Sequence, residues 1–151
     1  MCAFKVEQID HVHLYVSDQR EGAGWLGRVL GLEVVEGYED WAAGGGPLTV
    51  SSDGGNTSVA VFGLPPERLA ARPRTTIAFR VGGEGFLDFL GRLEGLGLNG
   101  EGGRPLTAAD VVDHDRSYSV YFRDPDGNPF ELTTYDYEHV RGRLGRAGGG
   151  A

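Results

Sequence analysis

A chain of 151 residues with 40% hydrophobic content is long enough for one compact domain and too short for two of ordinary size. Its 22 acidic residues against 14 basic ones give a formal charge of -8, which opposes binding to a phosphate backbone and argues against a nucleic-acid partner. The single cysteine, Cys2, cannot form an internal disulfide, and no apolar run reaches the roughly 18 residues that cross a bilayer, so no membrane partner is expected. Residues 1–10 contain no apolar signal region, and a cytoplasmic location is expected.

Residues 10–16 (DHVHLYV) alternate as a strand does. His11, His13 and Tyr15 fall on one face, and Val12, Leu14 and Val16 on the other, which must meet a helix. Residues 26–34 (LGRVLGLEV) have the apolar spacing of the last turns of an amphipathic helix, ending at Gly31. A short extended piece over 32–36 follows, then strands over 47–52 and 57–63 joined by Asp53-Gly54-Gly55-Asn56.

The order then repeats. Residues 75–81 (TTIAFRV) read as a strand at an offset of 65 from the first, and residues 90–98 (LGRLEGLGL) match residues 26–34 at five of nine positions at an offset of 64, with a helix end expected at Gly95. An extended piece over 98–101 and strands over 118–123 and 128–134 complete the copy. The expected fold is α+β: two tandem βαβββ modules, about 8–64 and 74–137, forming a cleft between curved mixed sheets in a single domain over 1–140. The Gly- and Arg-rich segment 141–151 has little to bury and is expected to form a disordered tail.

Turn chemistry sets the register of the final hairpin. Asp124-Pro125-Asp126-Gly127-Asn128 suits a type I turn with Gly127 at the left-handed bulge position, so Tyr121 faces Glu131 and Ser119 faces Thr133. Glu131 lies between Phe130 and Leu132. A carboxylate inside such a run faces water, a partner or a metal. Its counterpart in the first copy is Val59 or Ala60. At the offset of 65, Thr76 takes the place of His11, with Ala78 and Arg80 on the same face. Asp124 and Asp126 are too closely spaced for a calcium loop and make a turn.

Two stretches, IDHVHLYVSD near the start and SVYFRDPDGNPFELTTYD near the end, resemble the vicinal oxygen chelate superfamily, which includes glyoxalase I, extradiol dioxygenases, fosfomycin resistance proteins and bleomycin resistance proteins. The resemblance runs from Ile9 to about Tyr137. It implies a divalent ion, Fe, Mn, Zn or Ni, held by a His at the position of His11, a His at the start of the second copy, and a Glu at the position of Glu131. Thr76 stands at the second of these, so two of the three usual ligands are present. His13, roughly 6.5 to 7 Å along the strand from His11, could share an ion only if the rings converge; otherwise it contacts substrate or solvent. His114, on the acidic Asp113-His114-Asp115 loop, is either a lid residue over the cleft mouth or a surface histidine. Tyr121 donates to a bound oxyanion or to Glu131, and Arg80 is an anion anchor or a rim charge.

The resemblance thus implies a metal-dependent enzyme of the dioxygenase, glyoxalase (lyase) or transferase type, acting on a small oxygen-chelating molecule and forming a homodimer. His11 and Glu131 would be metal ligands, Tyr121 and His114 catalytic groups, and His13, Thr76, Arg80 and Ser119 substrate contacts. The alternative is a metal-free protein that sequesters an antibiotic or metabolite, as bleomycin resistance proteins do, with Trp41 as an aromatic wall beside Gly44-Gly45-Gly46.

Overall fold

Strand alternation places the first element. In β1 (His11–Val16) Leu14 and Val16 are buried while His11 and His13 are exposed. The chain turns at Asp18, whose Oδ1 accepts from the amides of Arg20 (2.9 Å) and Glu21 (3.0 Å), satisfying two donors at the start of α1 (Gln19–Leu30). This helix buries Ala23, Trp25, Leu26 and Val29 against the sheet. Its packing is close: a Cβ on Gly22 would lie 2.9 Å from Val16 Cγ2. The helix ends, as expected, at Gly31, whose φ of 69° is the left-handed conformation that glycine adopts at little cost. The unit continues with β2 (Glu33–Val34), α2 (Glu39–Ala43), β3 (Leu48–Ser51), β4 (Ser58–Gly63) and α3 (Pro66–Ala70). Its four strands lie in the order β1-β4-β3-β2; β1 runs parallel to β4, and the other pairs are antiparallel.

This is a computed structural model that describes residues 4–147; Cys2 and the last four residues of the expected tail lie outside them. The chain divides into two compact units with the boundary between Pro73 and Arg74. The second unit contains β5 (Ile77–Arg80), α4 (Gly83–Leu96), β6 (Val112–Asp113), β7 (Tyr118–Arg123), β8 (Pro129–Thr134) and α5 (Tyr137–Ala147). Its sheet order is β5-β8-β7-β6, again with one parallel pair, β5 with β8. The α+β architecture of two mixed four-stranded sheets is the one the internal repeat predicts. Phe122, Phe130, Leu132 and Val120 are buried on one face of this sheet, and α4 packs on β8 through the same layer as Phe86, Phe89 and Leu93.

Three expectations change. The second helix runs past Gly95 and ends at Gly97, which has φ of 61°, because Leu96 continues the helical turn and the next glycine takes the left-handed cap. The extended piece expected over 98–101 shrinks to Asn99, which bridges to Arg123 and Pro105; Gly102 and Gly103, both at φ of 75°, bend the chain away. The outer strand of this sheet is β6, over Val112–Asp113. The segment from Arg141 to Ala147, expected to be a disordered tail, is the end of α5. Its anchors lie one turn earlier: Val140 is fully buried and Tyr137 stacks on Tyr118 at 4.8 Å. Among the described residues, no helix is long and apolar enough to cross a membrane.

Candidate functional site

The final hairpin adopts the register its turn predicts. Tyr121 pairs with Glu131 and Ser119 with Thr133. Gly127 sits at φ of 83° and its amide donates to Asp124 O (2.9 Å), while Asp124 Oδ1 accepts from the amides of Asp126 and Asn128. With the turn locked, three polar groups meet on the face opposite the helix. The Ser119 hydroxyl donates to Glu131 Oε1 at 2.7 Å, and the Tyr121 hydroxyl donates to the same oxygen at 3.2 Å. Glu131 Oε2 accepts from no group among the described residues. Because the phenolic proton is committed to Glu131, the 3.0 Å contact between His114 Nε2 and the Tyr121 oxygen requires His114 to be the donor. Burial, with the Glu131 carboxylate beside it, pushes the Tyr121 phenol above its ordinary value and keeps it a proton donor. His114, exposed on its loop, is thereby linked to the carboxylate through Tyr121.

In the first unit the polar face of β1 carries a different chemistry. Asp10 Oδ2 lies 2.7 Å from His11 Nδ1, His11 Nε2 lies 3.2 Å from His13 Nε2, and His13 Nδ1 lies 3.3 Å from the Tyr15 hydroxyl. The two imidazole planes lie 17° apart with centroids 5.2 Å apart, so rings two residues apart on a strand do converge. With both imidazoles neutral, one proton order satisfies every contact. Tyr15 donates to His13 Nδ1, His13 Nε2 donates to His11 Nε2, and His11 Nδ1 donates to Asp10. Phe62, paired with Tyr15 across β1 and β4, lies against His13 at 4.8 Å and stacks on Tyr15 at 5.5 Å. The Arg72 guanidinium covers the Tyr15 ring at 3.6 Å.

The remaining expected residues occupy quieter places. Thr76 precedes β5 and borders a hollow of about 190 Å³ with Tyr121 and Phe130. Arg80 is exposed, its guanidinium 5.1 Å from the Tyr135 ring. Strand register also identifies the counterpart of Glu131. His13 pairs with Ala60 as Ala78 pairs with Glu131, so Ala60, not Val59, holds that position in the first unit.

A family model described as Glyoxalase/Bleomycin resistance protein/Dioxygenase superfamily matches residues 8–132. The chain belongs to this superfamily. Among solved structures, the oxidase ChaP-H1 is similar at 26% identity and a TM-score of 0.65, covering 87% of this chain and 98% of that one. A glyoxalase/dioxygenase from Nostoc punctiforme is similar at 21% identity and a TM-score of 0.66, covering 89% and 95%. The fosfomycin resistance protein FosX from Listeria monocytogenes, complexed with Mn(II) and sulfate, follows at 20% identity and a TM-score of 0.56, covering 93% and 99%. No curated protein matches the chain.

Superfamily membership raises the question of a divalent ion, and the residues present fit one in part. Among the described residues, no group of three or more His, Cys, Asp or Glu side chains is placed to hold a metal. Two imidazole nitrogens nevertheless lie side by side, and the other nitrogen of each ring has an oxygen partner, the outer-sphere support that ligating histidines use. Asp10, Tyr15, Phe62 and Arg72 are the participants that sequence reasoning passed over. The same-face spacing of Tyr15 was a usable signal, and Asp10 is the neighbour of His11. Phe62 and Arg72 reach the site from other elements, and nothing local marks them.

Proposed function

We propose that the chain is a metal-dependent enzyme acting on a small oxygen-bearing molecule, with His11 and Glu131 as metal ligands and Tyr121 and His114 as the proton-handling groups. The observation that carries this reading is the state of Glu131. Two hydroxyls fix its Oε1, while Oε2 is left for a ligand. Such an orienting shell is what a ligating carboxylate needs. A bound divalent ion would supply Lewis-acid polarisation of substrate oxygens. The Tyr121 phenol, kept protonated, can turn its hydrogen bond from Glu131 to a substrate oxygen as negative charge develops there, while the His114 Nε2–H, 3.0 Å away, donates a hydrogen bond to the phenol oxygen and orients it. Ser119 orients the carboxylate, and Thr76 and Arg80 border the substrate. Dioxygenase, glyoxalase-type lyase and transferase chemistries all start from this arrangement. We expect a homodimer, as the family resemblance implies.

Metal analysis of protein purified without chelators tests the reading: a stoichiometric transition metal is expected. Glu131→Gln should abolish uptake, and Tyr121→Phe should leave it intact. Uptake by Glu131→Gln equal to that of the wild type would exclude this site. A second reading, a metal-free binder of a small molecule, is favoured by Thr76 at the place of an imidazole and by the stacked Tyr38–Trp41 pair, with centroids 4.5 Å apart and Trp41 53% exposed. No metal even after reconstitution would decide for it.

A further inference from the structure

We infer that His13 is a metal ligand, and that His11 and His13 together form a two-imidazole chelate for a divalent transition ion on the polar face of β1. The inference rests on the reading above only in that a divalent ion binds at His11; it does not require Glu131.

Geometry is the first support. Two nitrogens each about 2.0–2.1 Å from a common ion, at an angle of about 100°, are separated by about 3.2 Å. The His11 and His13 Nε2 atoms are 3.2 Å apart. Neighbouring side chains on one face of a strand start roughly 6.5 to 7 Å apart, so this approach requires both rings to lean inward. Phe62 packs against one of the two rings, 4.8 Å from His13, and is itself stacked on Tyr15.

Proton bookkeeping is the second. Without an ion, the short N–N contact is held by the proton on His13 Nε2. An ion between the rings needs both Nε2 lone pairs, so that proton moves to His13 Nδ1, where the Tyr15 oxygen, 3.3 Å away, accepts it. His11 needs no change, because its Nδ1 proton already points to Asp10 at 2.7 Å. Each ligating ring then has an oxygen behind it, a carboxylate for His11 and a hydroxyl for His13. Imidazole pairs suit Zn, Cu, Ni and Fe, and two protein nitrogens leave further positions open to water, a carboxylate or substrate oxygens. The chain thus carries a second imidazole two residues from the first, although Thr76 replaces the one the family places elsewhere.

The test uses full-length protein without a histidine tag, titrated calorimetrically with Zn(II), with pulsed EPR of the Cu(II)-loaded protein to count coordinated imidazoles. Wild type should show two imidazoles. His13→Gln should show one, and Zn(II) affinity should fall by about a hundredfold or more, with its melting temperature unchanged because His13 is exposed. Tyr15→Phe, which keeps the ring stack but removes the hydroxyl, should weaken affinity by about tenfold and retain two imidazoles. If His11→Gln abolishes binding while His13→Gln leaves affinity and imidazole count unchanged, the inference falls and the enzyme reading stands. If both histidines are needed and Glu131→Gln binds as wild type, the inference stands and the Glu131 site falls. No binding by wild type overturns both.

Discussion

The polar faces of the two sheets share one backbone plan and carry opposite chemistry. By strand register, His11, His13 and Tyr15 in the first unit correspond to Thr76, Ala78 and Arg80 in the second, while Ala60 and Phe62 correspond to Glu131 and Thr133. One face offers imidazole nitrogens beside an aromatic ring, and the other a carboxylate supported by hydroxyls. Pairing and helix packing depend on the residues facing the other way, Leu14 and Val61 in one unit and Phe130 and Leu132 in the other, and these remain apolar in both. Alternation is therefore what allows the divergence, since changing every second residue leaves the core untouched.

That separation is open to direct attack. Phe130→Ala, on the buried face of β8, should cost about 3–5 kcal/mol, whereas Glu131→Ala, the next residue, should cost no more than about 1 kcal/mol; chemical denaturation of both compares them. Equal losses would mean that the polar face is part of the core. A smaller effect separates the helix starts. Asp18 caps α1 from the adjacent residue, but α4 begins at Gly82 and its Gly83 amide is met by Asp136 Oδ2 at 2.6 Å, from across the unit. Asp136→Ala and Asp18→Ala should each cost about 1 kcal/mol. Asp136→Ala should in addition increase hydrogen exchange in α5, which the Asp18 variant should not touch.

The smallest effect is in the acid limb. Hydrogen bonding to the Arg104 guanidinium, then to the Thr107 amide, holds the Asp110 carboxyl down at about 2. Since the folded value lies below the ordinary value near 4, this contribution is present above pH of about 4 and is lost as pH falls towards 2. Asp110→Asn should flatten that part of the acid-unfolding curve, modestly because the pair is solvent-exposed. An unchanged curve would leave the Arg104 contact without energetic weight.

Much of the site was legible because it lies on strands. Period-two alternation puts His11, His13 and Tyr15 on one face, and the chemistry of the Asp124–Asn128 turn sets the pairing of Tyr121 with Glu131. His114 was harder. Its place on a loop allowed two readings, and only the 3.0 Å contact with Tyr121 brings it to the carboxylate. The α5 segment was misread for a related reason. Composition weighs residues 141–147 by themselves, whereas a helix started by Tyr137 and anchored by Val140 carries them along.

Sequence by itself determined the repeat, the strand faces and the hairpin register, because each follows from periodicity or from the dihedral demands of Pro and Gly at known offsets. Tertiary structure alone decided that β6 replaces the expected outer strand, that Asp136 caps α4, and that the two imidazoles converge. Each of these depends on a partner far away in the chain, Ser119 and Tyr118, Gly83, and Phe62 in turn, and local spacing carries no information about which distant side chain will fill the space beside it.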